Sequence, residues 1–75
     1  NMVTNKDLKG YDFNNLSDYF DYIIESKVNG NYGQVKDLIM KLSKDQKKTF
    51  LSIVELNGYS REDIDYCKGL VIAFI

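Results

Sequence analysis

Four apolar stripes at helical spacing, each opened by a residue that caps helices, constrain this chain more than any other feature. The sequence contains no proline, so glycine and capping side chains are its only punctuation. The clearest case is NNLSDYFDYIIESKVNG, Asn14 to Gly30. Asn15 stands as an N-cap with Asp18 three residues on, and Asn29–Gly30 supplies a stop signal. Between them Leu16, Phe20, Ile23 and Ile24, flanked by Tyr19, recur on one side of a 3.6-residue period. The spacing predicts a helix over Leu16–Val28.

The same device recurs three times. NYGQVKDLIMKL opens on Asn31 with Gln34 at the capping-box distance, and Val35, Leu38, Ile39 and Leu42 form its stripe. SKDQKKTFLSIVELNG repeats the box with Ser43 and Gln46, which argues for a new helix rather than a continued one. Its stripe is Phe50, Leu51, Ile53, Val54 and Leu56, and Asn57–Gly58 ends it. SREDIDYCKGLVIAFI opens on Ser60, with Glu62 and Asp63 in the first turn where the helix dipole favours acids. Ile64, Cys67, Leu70, Val71, Phe74 and Ile75 share one side. The N-terminal MVTNKDLKGYDF is weaker. Thr4 or Asn5 caps one short turn through Leu8, Gly10 breaks it, and Tyr11 and Phe13 fold onto the core. The expectation is an all-α fold, a compact bundle or orthogonal array of about four short helices.

With 75 residues, residues 1–75 form a single helical domain. A chain of this size buries only about 60% of the surface exposed by its unfolded form. Asn1 reads as a remnant of an expression tag ahead of a native Met2. The longest apolar run, LVIAFI, is far too short to span a bilayer, so no membrane partner is expected. The single cysteine allows no internal disulfide, and Cys67 sits among apolar residues as a buried free thiol does. A reduced, cytoplasmic compartment fits that usage.

The absent residue types exclude most chemistry. Without histidine the commonest general base and the usual partner of a catalytic Ser or Cys are missing. One cysteine and no histidine also rule out a tetrahedral Cys/His zinc site within one chain. Asp18, Asp21 and Glu25 at i, i+3 and i+7 have the oxygen chemistry of a hard-cation site, but no EF-hand pattern accompanies them. Four short helices leave little room for a substrate cleft. No enzymatic activity and no cofactor are expected.

Three surfaces remain. At 100° per residue, Asp18, Asp21, Tyr22 and Glu25 fall opposite Leu16, Phe20 and Ile23, and Glu62, Asp65 and Tyr66 form a smaller similar set in the last helix. Carboxylates beside rigid tyrosines suit a basic protein surface; equally, they suit the solvated side of any amphipathic helix. Secondly, Lys36, Lys41, Lys44, Lys47 and Lys48 crowd mid-chain, but without the interleaved aromatics or arginine of a nucleic-acid reader. Thirdly, FLSIVELNGYSREDIDYCKG, residues 50–69, resembles a helix-turn-helix in part, with Gly58 as the turn glycine, Ser60 as the cap, and Ile53, Ile64 and Cys67 inside. Val54 stands where a small residue is usual and Asn57 where an apolar one is. The residues left to face DNA would be Arg61, Glu62, Asp65 and Tyr66, and two acids there repel phosphate. GNYG, Gly30 to Gly33, matches a KH-domain loop by letter only.

Residues 21–55, DYIIESKVNGNYGQVKDLIMKLSKDQKKTFLSIVE, resemble small helical proteins of phages and mobile elements of low-GC Gram-positive bacteria. The resemblance rests on D-Y-I-I-E-S, then N-G, then Q, then a capped S-K-D-Q-K-K segment, and it implies a protein that acts by binding a host or phage protein. Taken together, the expectation is a non-enzymatic interaction module using the acid–tyrosine face. A helix-turn-helix-like DNA-binding regulator and a homo-oligomeric structural subunit joined through LVIAFI are the alternatives.

Overall fold

In the computed structural model, which describes all 75 residues, Thr4 opens α1 (Asn5–Gly10) with a full capping box. Its hydroxyl accepts from Asp7 N and its own N–H donates to the Asp7 carboxylate. The expected single turn is therefore a short helix, and Gly10 lies inside it rather than breaking it. Four longer helices follow: α2 (Leu16–Val28), α3 (Tyr32–Met40), α4 (Lys44–Ile53) and α5 (Arg61–Ala73). A 3-10 turn, Val54–Asn57, joins the last two. The architecture is an all-α bundle of five helices with no strands. It fits within 31 × 24 × 23 Å. No helix is long and apolar enough to cross a membrane.

Each longer helix begins where its cap predicts. The side chains of Asn15, Asn31, Ser43 and Ser60 accept from the N–H groups of Asp18, Gln34, Gln46 and Asp63, satisfying donors that a helix start leaves without partners. Only the Ser43 start closes into a reciprocal box. At α3 the Gln34 amide turns away from its cap and donates to Ser26 Oγ at 2.8 Å, so α3 has a cap but no box. The stops also follow the sequence: Gly30 and Gly58 both lie at positive φ, 76° and 75°, where a side chain would be strained.

α2 is the central element, packing against both α3 and α5, while α5 also meets α3 and α4. Tyr19, Phe20, Ile23 and Ile24 of α2 are buried with Val35, Leu38 and Ile39 of α3, Phe50 of α4 and Ile64, Cys67 and Val71 of α5. Phe20 and Phe50 meet edge to face at 5.2 Å between centroids, the arrangement that aromatic quadrupoles favour. Burial lifts the Cys67 thiol to about 11, which leaves it protonated and unreactive at neutral pH.

Several expectations about the core change: Leu16, Leu51, Ile53, Leu70 and Phe74 are only half-buried, and Ile75 (50%) and Leu56 (82%) are exposed. The exposure of Leu56 follows from geometry. After Ile53 the chain tightens to three residues per turn, and the α-helical register that placed Leu56 inward no longer applies. Val54 keeps its place in the core.

Polar side chains seal the seams between elements. Leu42 N–H bonds to Ile39 O rather than to Leu38 O, and the Tyr19 hydroxyl donates to that Leu38 carbonyl at 2.7 Å. Gln46 reaches back to the N-terminal strap: its Oε1 accepts from Val3 N at 3.0 Å and from Ser43 N, and its Nε2 donates to Val3 O at 2.7 Å. One amide thus closes the α4 capping box and pins Val3, itself buried, onto the core. Gln46→Leu is expected to destabilise the protein by about 2 kcal/mol, the combined scale of a lost cap and of hydrogen bonds left unmade at Val3. Urea unfolding followed by circular dichroism measures it, and a cost near zero would show that the strap is not held this way.

Candidate functional site

The acid–tyrosine residues expected to share a surface divide into two groups. On α2, Asp18 is half-buried and helps to order the helix start, its carboxylate accepting from Asn14 N at 2.9 Å. Asp21 accepts from Asn57 Nδ2 at 2.8 Å, so Asn57, out of place as a helix-turn-helix core residue, ties the 3-10 turn to α2. Burial first, and the nearby Asp18 charge second, raise the Asp21 carboxyl above its ordinary range despite that bond. Glu25 is exposed. None of the three carboxylates makes an ion pair.

Tyr22 is not free on that face. It is half-buried against Tyr11 and Phe13, at 6.1 and 5.6 Å between ring centroids. The α1–α2 connection covers it, passing through Asp12 in the left-handed region (φ 63°), a conformation that Asp tolerates better than most residues. The tyrosine that does sit within reach of the α2 acids is Tyr59. Burial raises its hydroxyl pKa, and the Asp21 and Glu25 charges raise it further. Nothing in local sequence signals this, because the contact arises only when Gly58 turns the chain back towards α2.

On α5 the acids are all answered by cations. Lys27, at the end of α2, is buried and reaches Asp63 at 2.9 Å and Glu62 at 3.7 Å. The rings of Tyr32 and Tyr66 lie 5.8 and 5.6 Å from its ammonium and meet each other edge to face. The Asp63 hydrogen bond raises the Lys27 pKa, and the same bond lowers that of Asp63. Lys27 therefore clips the end of α2 to the start of α5. Asp65 pairs with Arg61, which also makes a two-pronged bond to Glu55, and Lys68 joins at 3.2 Å. The Arg61 and Lys68 hydrogen bonds pull the Glu55 carboxyl down to about 2.

These bonds bear on the other surfaces. The helix-turn-helix spacing is realised in part: Gly58 makes the turn and Ser60 caps α5, while Ile64 and Cys67 are buried. Arg61, the one cation that would meet a phosphate from that helix, is already held by Glu55 and Asp65. The mid-chain lysines are also divided. Lys47 is buried and donates to Phe74 O at the end of α5, Lys41 donates to the Tyr11 hydroxyl, and Lys36 lies over the Phe74 ring. No three acidic, cysteine or histidine side chains converge as metal ligands would.

The two acid groups have opposite pH signatures. The folded pKa of Glu55 lies below its ordinary 4.5, so its contribution is present above 4.5 and is lost as pH falls towards 2. Glu55→Gln is expected to lower the thermal midpoint at pH 7, with the deficit vanishing in that acid window. The folded pKa of Asp21 is raised, so its ionised form costs stability at neutral pH, and that cost is relieved on acidification. Asp21→Asn is expected to raise the midpoint at pH 7 and to converge on the parent protein below pH 4. Thermal melts of both variants across pH test the pair; parallel curves for either would contradict its assignment. No protein-family model matches the chain, no curated protein matches it, and no solved structure does.

Proposed function

We propose that this protein is a non-enzymatic interaction module whose α2 face, carrying Asp18, Asp21 and Glu25, receives a basic surface of another protein. The observation that carries the reading is the contrast in charge pairing. Glu55, Glu62, Asp63 and Asp65 have cation partners within the chain; among the carboxylates that have none, Asp18, Asp21 and Glu25 are gathered on one helix face. Unpaired carboxylates on one face repel each other and leave a local negative field that a Lys- or Arg-bearing partner relieves, speeding its encounter with this face. Asp21 makes the point sharply, since it stays on this face at a cost to folding. Glu62, Asp65 and Tyr66 contribute less, because their interactions are already satisfied. The likeness to phage and mobile-element proteins points in the same direction, towards a host or phage protein as the partner.

Capture from a lysate of the source cell tests this with four baits: the parent chain, Asp18→Lys/Glu25→Lys, Glu25→Lys alone, and Glu62→Lys. Because Asp18 also orders the start of α2, a Glu25→Lys single variant controls for folding. The expected result is a basic protein retained by the parent and by Glu62→Lys, released by salt, and lost from both Glu25 variants. A captured set unchanged by the Glu25 variants would remove the reading.

Self-association through the end of α5 is a second reading, favoured by the exposure of Ile72 and Ile75, 60% and 50%. It requires a molar mass that rises with concentration in sedimentation equilibrium. A single-chain mass throughout would exclude it.

A further inference from the structure

Three surface depressions adjoin along the junction of α2 and α3. The first, about 430 Å³, lies between the N-terminal strap and Lys41, and it shares Tyr11 and Lys41 with a second of about 450 Å³. The second shares Tyr22, Asn31 and Gln34 with a third of about 320 Å³, which continues past Glu25 to Asn29. The second and third adjoin as one shallow groove, lined along α3 by Asn31, Gln34, Asp37 and Lys41 at the spacing of a single helical stripe, and the first, lined also by Lys6 and Asp7, lies beyond Tyr11 and Lys41.

The polar groups in this groove are held in place yet incompletely used. Ser26 Oγ donates to Tyr22 O and accepts from Gln34 Nε2. This fixes the Gln34 amide where two of the depressions meet, and its Oε1 has no partner in the protein. Asn31 uses only its carbonyl oxygen, to cap α3, so its Nδ2 donors are free. Glu25 and Asp37 line the two halves and neither makes an ion pair.

We infer that this groove binds an extended peptide segment carrying basic side chains, its backbone read by the Gln34 and Asn31 amides and its cations by Glu25 and Asp37. This deepens the interaction reading above and rests on it. A fixed amide that offers an acceptor beside a free donor matches the alternating C=O and N–H of an extended backbone. Unpaired carboxylates beside it select Lys or Arg. An oligosaccharide would use the same amides but stacks on open aromatic faces. Here the Tyr11 ring is stacked on Phe13 and also lies beside the Lys41 ammonium, and Tyr22 packs against both rings. The groove thus presents the Asn31 and Gln34 amides and the Glu25 and Asp37 carboxylates, with Lys41 bonded to the Tyr11 hydroxyl at its far end, rather than an aromatic platform.

The test titrates the ¹⁵N-labelled chain with three pools of capped nonapeptides. The pools share random apolar and small central residues and differ in flanking Arg, Ser or Glu; maltohexaose is a fourth ligand. The Arg pool is expected to shift the amides of Asn29, Asn31, Gln34 and Asp37. Its apparent affinity should exceed that of the Glu pool by about tenfold or more, and Gln34→Leu and Asp37→Asn should each weaken it by about tenfold, the scale of one lost hydrogen bond. Circular dichroism confirms that the variants fold. Four results would overturn the groove: no shift with any pool, shifts that map elsewhere, Arg-pool binding indifferent to Gln34→Leu and Asp37→Asn, or maltohexaose acting where peptides do not. If binding ignores those two variants but is lost in Glu25→Lys, the groove fails while the α2 face stands. If it ignores Glu25→Lys as well, both fail.

Discussion

The core is organised by the burial of one strip of α2, made of Tyr19, Phe20, Ile23 and Ile24. The strip is wide enough to meet α3 on one side and α5 on the other, so the remaining helices have a common surface to pack on. Burying a tyrosine at its centre imposes a further requirement, because a hydroxyl removed from water must find a partner. It finds the Leu38 carbonyl at the end of α3, where the helix cannot supply its own donor. A single contact thus satisfies both the polar atom of the core and the frayed end of a helix. Lys27 acts comparably at the other end of α2, where its ammonium meets the first turn of α5. Hydrophobic burial sets which elements pack, and these polar clips set their registration.

The fold was largely legible because its signals are local. A cap three residues before its acceptor and an apolar residue every third or fourth position depend on one helix alone, and α2 was bounded correctly from those signals. Legibility failed where the local period changed or where distant segments met. Leu56 was placed inside by extending an α-helical phase that the 3-10 turn does not keep. α1 was underestimated because Gly10 resembles a breaker, whereas its stability comes from the Thr4–Asp7 box and from Leu8 in the core. The candidate site was less legible still. Opposite-face geometry placed Asp21 and Glu25 on one side of α2, but it could not show that Tyr22 would be covered by Tyr11 and Phe13. Nor could it show that Tyr59, remote in sequence, would lie near the acids instead.

The same reasoning explains why the partial helix-turn-helix spacing carries so little functional weight. A turn glycine, a capping serine and two buried positions are what any helix pair needs to reverse direction and pack. They specify a shape. DNA recognition needs cations and donors free to meet phosphates and base edges, and in α5 those side chains are engaged with one another. The Arg61–Glu55–Asp65–Lys68 cluster instead stabilises the junction between the 3-10 turn and α5. It spans the segment in which the helical register breaks.

The chain carries ten Lys and Arg against eleven Asp and Glu, nearly neutral as a sum. The fold shows why a sum over residues is a poor guide to a field. Lys27, Arg61 and Lys68 are drawn to the acids of the 3-10 turn and α5, Lys47 to the Phe74 carbonyl just past α5, and Lys41 to the Tyr11 hydroxyl. Each assignment helps the fold, and together they remove the cations best placed to balance other acids. The α2 carboxylates remain, close enough for Asp18 to raise the pKa of Asp21. The half-buried Asp21 carboxylate is held by Asn57 but answered by no cation, and burial together with the Asp18 charge disfavours its ionised form.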